Sequence, residues 1–170
     1  ASELREPPPK GNKMPVVLAR IDDRLIHGQV TEGWGKKIRP DVIVVVSDGV
    51  ATTEWERELC LAALPDTICG SVVPVREAAG TINRLQDDRA RAYVLFESPR
   101  DTFQAVKDGA KISEVNVGGL HSTKGKRRIL DYVYLSDLDA DYLKRIRAAG
   151  ISLDFRDLPE HDRIDVSDRL

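Results

Sequence analysis

Arg20-Ile21-Asp22-Asp23-Arg24-Leu25-Ile26-His27-Gly28-Gln29-Val30 is the stretch on which the fold turns. Before it, Val16-Val17-Leu18-Ala19 is an apolar run of the kind that forms a short buried strand. After it the apolar spacing changes: Ile26, Val30, Trp34 and Ile38 recur every fourth residue, the stripe of an amphipathic helix. The segment between is therefore a strand-to-helix turn that gathers two Asp, two Arg and one His. In an open α/β sheet such turns lie at the carboxyl ends of the strands, where ligands sit in the crevice. A helix start there adds free N–H groups and a positive dipole end, both suited to an anion. An imidazole at that start, His27, with the guanidinium of Arg24 just before it, points to phosphate chemistry.

Working outward, strands and helices alternate. Asp41 to Ser47 (DVIVVVS) is a β-branched run typical of a strand covered on both faces. Thr53-Glu54-Trp55-Glu56 reads as a capping box opening a helix that stops at Pro65. Gly70 to Val73 reads as a short strand, Val75 to Leu85 as a helix weakened by Gly80, and Ala92 to Phe96 as the next strand. Ser98-Pro99 supplies an N-cap with proline at the first helical position, and Gly109 closes that helix. Ile112 to Val117 is a strand ending in the turn signal Gly118-Gly119, and Leu120 to Arg128 is a basic loop. Tyr132 to Leu135 resumes strand character, Ser136-x-x-Asp139 caps a helix ending at Gly150, and Ile151 to Phe155 is a final strand. The tail past Pro159 is charged and read as loosely held.

This alternation predicts a single-domain α/β fold: an open, twisted, mostly parallel sheet of about seven strands with helices on both faces. Residues 1–13 are polar and carry three consecutive prolines, so they read as a disordered extension or a remnant of expression. Met14 is then a candidate native start, and residues 14–170 form the domain.

The 26 basic and 28 acidic residues leave a net charge of −2, without the basic excess of a nucleic-acid footprint. No apolar run approaches the roughly 18 residues of a membrane span, so a cytoplasmic protein is expected. Cys60 and Cys69 lack metal-ligand spacing and read as buried thiols. There is no P-loop lysine motif, dinucleotide fingerprint or nucleophile elbow, so neither cofactor nor metal is expected.

At the turn itself, a neutral imidazole, with an unperturbed pKa of about 6.5, offers a nucleophilic nitrogen near neutral pH. Arg24 and Arg20 are candidate phosphate stabilisers, since a guanidinium fork neutralises equatorial oxygens in paired hydrogen bonds. The plain alternative is that both arginines only pair with the neighbouring aspartates. Asp22 and Asp23 each admit capping, holding an arginine, or orienting the imidazole, and spacing does not choose between them. Gly28 and Gln29 are candidate phosphate donors through their backbone N–H groups. His121, with Lys124, Lys126, Arg127 and Arg128, forms a candidate docking rim after Gly118-Gly119, against the reading of a solvated face. His161, in the charged tail, looks incidental.

The string RIDDRLIHGQV closely resembles the signature of the enzyme IIB subunit of the mannose/fructose/sorbose class of the bacterial sugar phosphotransferase system. Val44-Val45-Val46-Ser47-Asp48, Val115-Asn116-Val117-Gly118-Gly119-Leu120 and Gly150-Ile151 follow in family order, so the resemblance spans roughly Pro15 to Pro159. It implies that His27 carries a phosphoryl group on Nδ1, received from enzyme IIA. The acceptor it implies is a sugar translocated by the membrane subunits IIC and IID, with the protein peripherally associated with that transporter. A homo-oligomer is left open. Two other readings remain: a regulatory protein using the same phosphohistidine, and a passive α/β module binding a small anion.

Overall fold

β1 (Val16–Asp22) lies between two parallel neighbours, and this placement decides where the chemistry sits. The computed structural model describes residues 16–88 and 90–170. The first thirteen residues and Met14, expected as an extension and a start, lie outside the described residues. The remaining sheet strands are β2 (Val42–Val46), β3 (Cys69–Val73), β4 (Ala92–Phe96), β5 (Glu114–Gly119) and β8 (Ser152–Phe155). They form one six-stranded sheet in the order β3-β2-β4-β1-β5-β8, every pair parallel. A short antiparallel hairpin, β6 (Arg127–Leu130) and β7 (Val133–Leu135), stands beside it. The expected open parallel α/β sheet is therefore the fold, with a small antiparallel addition.

Both faces of the sheet are covered. Ala19, Ile21, Val44, Val46, Val94, Phe96, Val115 and Val117 pack under α4 (Val75–Asp87), α5 (Pro99–Lys107) and α6 (Asp137–Ala148). Alternate residues Ile43, Val45, Tyr93 and Leu95 face the helical segment after β1 and the neighbourhood of α3 (Glu54–Ala62). This explains why β2 and β4 read as unbroken apolar runs: both sides of each strand are buried. Each such side chain contributes roughly 1.5–3 kcal/mol.

The caps read from sequence mostly form. Ser98 accepts from the Asp101 N–H with Pro99 at the helix start, and Ser136 and Asp139 make a reciprocal capping box. At Thr53 they do not: the residue takes the extended backbone of an N-cap between the one-turn helix α2 (Asp48–Thr52) and α3, but its side chain caps nothing.

Four further expectations are corrected. Gly118 and Gly119 are not a turn but the last residues of β5. The basic loop contains β6, which pairs with β7. The charged tail is anchored: the Ile164 N–H donates to the Phe155 carbonyl, and Val166 is buried. Cys60 is only half-buried and Cys69 is exposed, because β3 is an edge strand.

Candidate functional site

The strand order creates a switch point. From β1 the chain crosses to β2 on one side, while β5, on the other side of β1, leads on to β8. The carboxyl ends of β1 and β5 therefore open onto a crevice, the usual ligand position in such sheets. The turn 23–28 and residues 120–122 border it.

Within β1, alternation sends Arg20 and Asp22 to the face covered by the first helical segment. Both are fully buried. Arg20 aligns with Asn116 on β5, and Asn116 with Asp154 on β8, so a polar row crosses three strands. Arg20 donates to Asn116 Oδ1 (2.6 Å), to the Arg156 carbonyl (3.2 Å) and to Asp22 Oδ2 (2.8 Å). Arg156 in turn closes on Asp154 (2.7 Å). Trp34 lies between the two arginines, 5.7 Å from the Arg20 guanidinium and 5.2 Å from that of Arg156, and its indole N–H donates to the Asp157 carbonyl. A buried charge is tolerated only when paired and hydrogen-bonded, and this row does both for the Arg20 guanidinium except at Nε, which has no partner among the described residues.

Asp22 is the hub. Besides Arg20 it accepts from Arg24 through Nε (3.1 Å), through the terminal nitrogen (3.1 Å) and through the backbone N–H (3.2 Å). It also meets His27 Nε2 at 2.9 Å. Burial by itself would raise the Asp22 pKa. The hydrogen bonds from His27 and Arg24 and the charge of Arg20 outweigh it and hold the carboxyl well below the usual carboxylate range. Asp22 is thus an ionised carboxylate at neutral pH.

The loop that carries His27 to this hub is tight. Leu25 N–H bonds to the Asp22 carbonyl, and Leu25 adopts a left-handed backbone, φ 57°. That conformation costs about 1–2 kcal/mol for a non-glycine residue. Burial of the Leu25 side chain in the second core offsets it by a similar or larger amount. The following helix opens as a wide π-helical segment, Gln29–Trp34, before α1 (Gly35–Ile38). Val30 and Trp34 of the apolar stripe are fully buried, while Ile26 and Ile38 pack partly. The Gln29 N–H donates to His27 Nδ1 at 3.3 Å, and the Gln29 side-chain carbonyl accepts from Arg24 at 2.7 Å. The His27 side chain is 17 % exposed. Beside it Gly28 leaves open space where a Cβ would stand.

The sequence-read residues separate as follows. Arg24, 35 % exposed, and Gln29 sit beside His27. Arg20 lies beneath them and touches Asp22 and Gln29, so it supports the site from below rather than lining its surface. Asp23 does not join this cluster: its carboxylate accepts from His121 Nδ1 (2.5 Å) and the His121 N–H (2.7 Å). Lys126 pairs with Asp139 (3.7 Å) and Arg127 with Asp137 (4.0 Å), both in the first turn of α6. Arg128 pairs with Asp131. These three spend their charge locally, which favours the solvated-face reading over a free basic rim. Sequence reasoning missed Asn116, Asp154, Arg156 and Trp34. Their signal was register across β1, β5 and β8, which no local pattern carries.

The fold and the site together define a doubly wound α/β protein with a carboxylate-held histidine at the switch point of its parallel sheet. Residues 16–170 match the family model described as the PTS system sorbose subfamily IIB component, and the chain belongs to that family. It is 36 % identical over 146 residues to the fructose-specific EIIB component of Bacillus subtilis, covering 86 % of this chain and 90 % of the relative. It is 34 % identical over 157 residues to the mannose-specific EIIAB component of Escherichia coli, covering 92 % of this chain but 49 % of that longer protein. The crystal structure of the IIBSor domain of the Klebsiella pneumoniae sorbose permease superposes with a TM-score of 0.84 at 31 % identity, covering 92 % of this chain and 96 % of that one. Membership places the chain among the phosphotransferase components of sugar uptake. Among the described residues no helix is long and apolar enough to cross a membrane.

Proposed function

We infer that this chain is a phosphocarrier that accepts a phosphoryl group on Nδ1 of His27 from a phosphohistidine of enzyme IIA. It passes the group to a sugar handled by the membrane subunits IIC and IID. The observation that carries this reading is the contact of His27 Nε2 with Asp22 at 2.9 Å. An ionised carboxylate there takes the Nε2 proton as a hydrogen bond, which leaves the lone pair on Nδ1. Attack of that lone pair on phosphorus forms the Nδ1–P bond as the donor's N–P bond breaks and its electron pair returns to the donor imidazole. The phosphorylated ring keeps its Nε2 proton and becomes cationic, and Asp22 stabilises that charge.

Phosphoryl transfer asks a protein mainly for positioning and charge neutralisation. Arg24, fixed by Asp22 and Gln29, stands beside the ring to neutralise the equatorial oxygens. The Gly28 N–H at the helix start adds a donor, and the Gln29 N–H, which holds Nδ1 at 3.3 Å before transfer, turns to the phosphoryl oxygens once Nδ1 is bonded to phosphorus. The open space over Gly28 suits the close approach of a partner surface. The fusion of IIA and IIB in the E. coli relative supports IIA as the donor, and it is in keeping with a cytoplasmic protein that works beside its transporter.

The test is incubation with phosphoenolpyruvate, the general phosphotransferase proteins and IIA, followed by intact mass. One acid-labile, base-stable phosphoryl group is expected, and His27→Ala abolishes it. An adduct of normal yield on that variant overturns the assignment.

A further inference from the structure

Asp22 and Asp23 are consecutive, yet each holds a histidine, and they hold them by opposite nitrogens. Asp22 meets Nε2 of His27 and leaves Nδ1 as the reactive atom. Asp23 meets Nδ1 of His121 at 2.5 Å while its other oxygen takes the His121 backbone N–H at 2.7 Å. That two-point grip fixes the carboxylate, and it leaves His121 Nε2 without a partner among the described residues. The His121 side chain is 59 % exposed. It lines a cavity of about 350 Å³ together with Arg24, Gln29, Ser122, Tyr132 and Tyr134, so it shares a wall with the two side chains that flank His27.

The sugar-directed half of the reaction has a proton to place. As an acceptor hydroxyl attacks phosphorus, the O–P bond forms, the Nδ1–P bond breaks, and its electron pair returns to the His27 ring. The hydroxyl proton must leave at the same time. In an in-line displacement Nδ1 lies on the far side of the phosphorus from the attacking oxygen, so it cannot take that proton. Nε2 already carries one, held by Asp22. A base is needed on the acceptor's side, and an exposed imidazole oriented by a carboxylate has the chemistry for it.

We propose that His121 is the general base of transfer to the sugar: its Nε2 takes the hydroxyl proton, and Asp23 is the positioning residue that holds the Nδ1–H tautomer and stabilises the imidazolium. The proton then leaves to solvent, which the exposure of the ring permits. Transfer from IIA needs no such base, because a phosphohistidine donor surrenders no hydroxyl proton. The proposal rests on the phosphocarrier reading.

The two half-reactions separate the possibilities. Charging is followed by intact mass with phosphoenolpyruvate, the general proteins and IIA. Discharge is followed as sugar phosphate formed from fructose, mannose or sorbose in vesicles bearing the system's membrane subunits. His121→Gln is expected to lower discharge relative to charging by roughly a hundredfold. It also removes the limb of the discharge profile that rises with pH, and Asp23→Asn gives a smaller loss of the same kind. Asp23, Arg24 and Asp131 are the charged groups around the ring from the three elements that meet there, so the profile of each variant is compared with wild type. Equal slowing of both half-reactions makes His121 a docking or phosphate-positioning residue and overturns the proposal, as does unchanged discharge. Wild-type protein that accepts no phosphoryl group overturns the carrier reading itself, and this proposal with it.

Discussion

The guanidinium of Arg20 occupies the space that a side chain at Gly118 would need. A Cβ built on Gly118 falls within that guanidinium, and one built on Gly119 stands 3.0 Å from both Arg24 and the Asp22 carboxylate. Paired glycines at the end of β5 are therefore the negative image of the charge cluster at the end of β1. Gly118→Ala is expected to expel Arg20 and leave Asp22 without its buried counter-ion, a loss of about 3–5 kcal/mol. Gly80→Ala, on the exposed side of α4 with only the tip of Arg84 nearby at 3.6 Å, should instead stabilise by roughly 0.5–1 kcal/mol. Urea unfolding of the two variants decides this, and a mild Gly118→Ala would show that Arg20 has another seat.

Acid should expose Asp22. Its pKa is lowered in the folded state, so its stabilising contribution is fully present above the ordinary carboxylate pKa of about 4. The contribution is lost as pH falls from there through the lower folded value. Asp22→Asn removes the contribution at every pH. The stability gap between wild type and variant is expected to be widest at pH 5–7 and to shrink steadily below about pH 4. Nitrogen NMR of the His27 ring provides a second readout, with the Nε2–H tautomer less dominant in the variant. A gap that stays constant into acid contradicts the account.

Arg24→Ala should slow phosphoryl transfer more than it weakens IIA binding. Charge neutralisation matters most in the transition state, so the rate falls without a matching loss of affinity. Rapid-quench transfer beside equilibrium binding measures both. Equal losses would make Arg24 a docking residue.

The basic segment after β5 divides by its pairing. Lys126 and Arg127 are tied to the first turn of α6, so Lys126→Glu with Arg127→Glu is expected to lower stability by about 0.5–1 kcal/mol. Lys124 has no ion pair among the described residues, and Lys124→Glu should slow IIA association at low salt and lose that effect at high salt. Salt-independent association in Lys124→Glu would return the whole segment to a solvated face.

Tyr93 is fully buried, and its hydroxyl has no hydrogen-bond partner among the described residues. Burial drives its pKa far upward, so the phenol stays neutral at any accessible pH. Removing an unpaired buried hydroxyl is neutral or favourable, so Tyr93→Phe should leave stability unchanged or raise it by up to about 1 kcal/mol. A loss beyond about 1 kcal/mol in thermal unfolding would mean that the hydroxyl is satisfied.

Local chemistry made much of this protein legible in its sequence. β-branched runs with helical stripes between them specify a parallel sheet covered on both faces, because each period buries one face and the connections leave few topologies. Ser98-Pro99 and Ser136-x-x-Asp139 act within a few residues, so their caps could be read directly. RIDDRLIHGQV located the turn, and with it His27, for the same reason. What tertiary structure alone decided depends on contacts between residues far apart in the chain. Asp22 rather than Asp23 reaches His27 because Asp22 ends β1 buried beneath the turn, whereas Asp23 begins the turn and is held by His121 from the loop after β5. Arg20 became a buried support because Asn116 and the Arg156 carbonyl, 96 and 136 residues away, meet it across the sheet. The left-handed Leu25 has no signal in its residue type, since burial in a distant core overrides a local backbone preference. Gly118 and Gly119 looked like a turn because glycine usually marks one, but here their missing side chains make room for Arg20 and Asp22 of the neighbouring strand and for Arg24 in the turn after it.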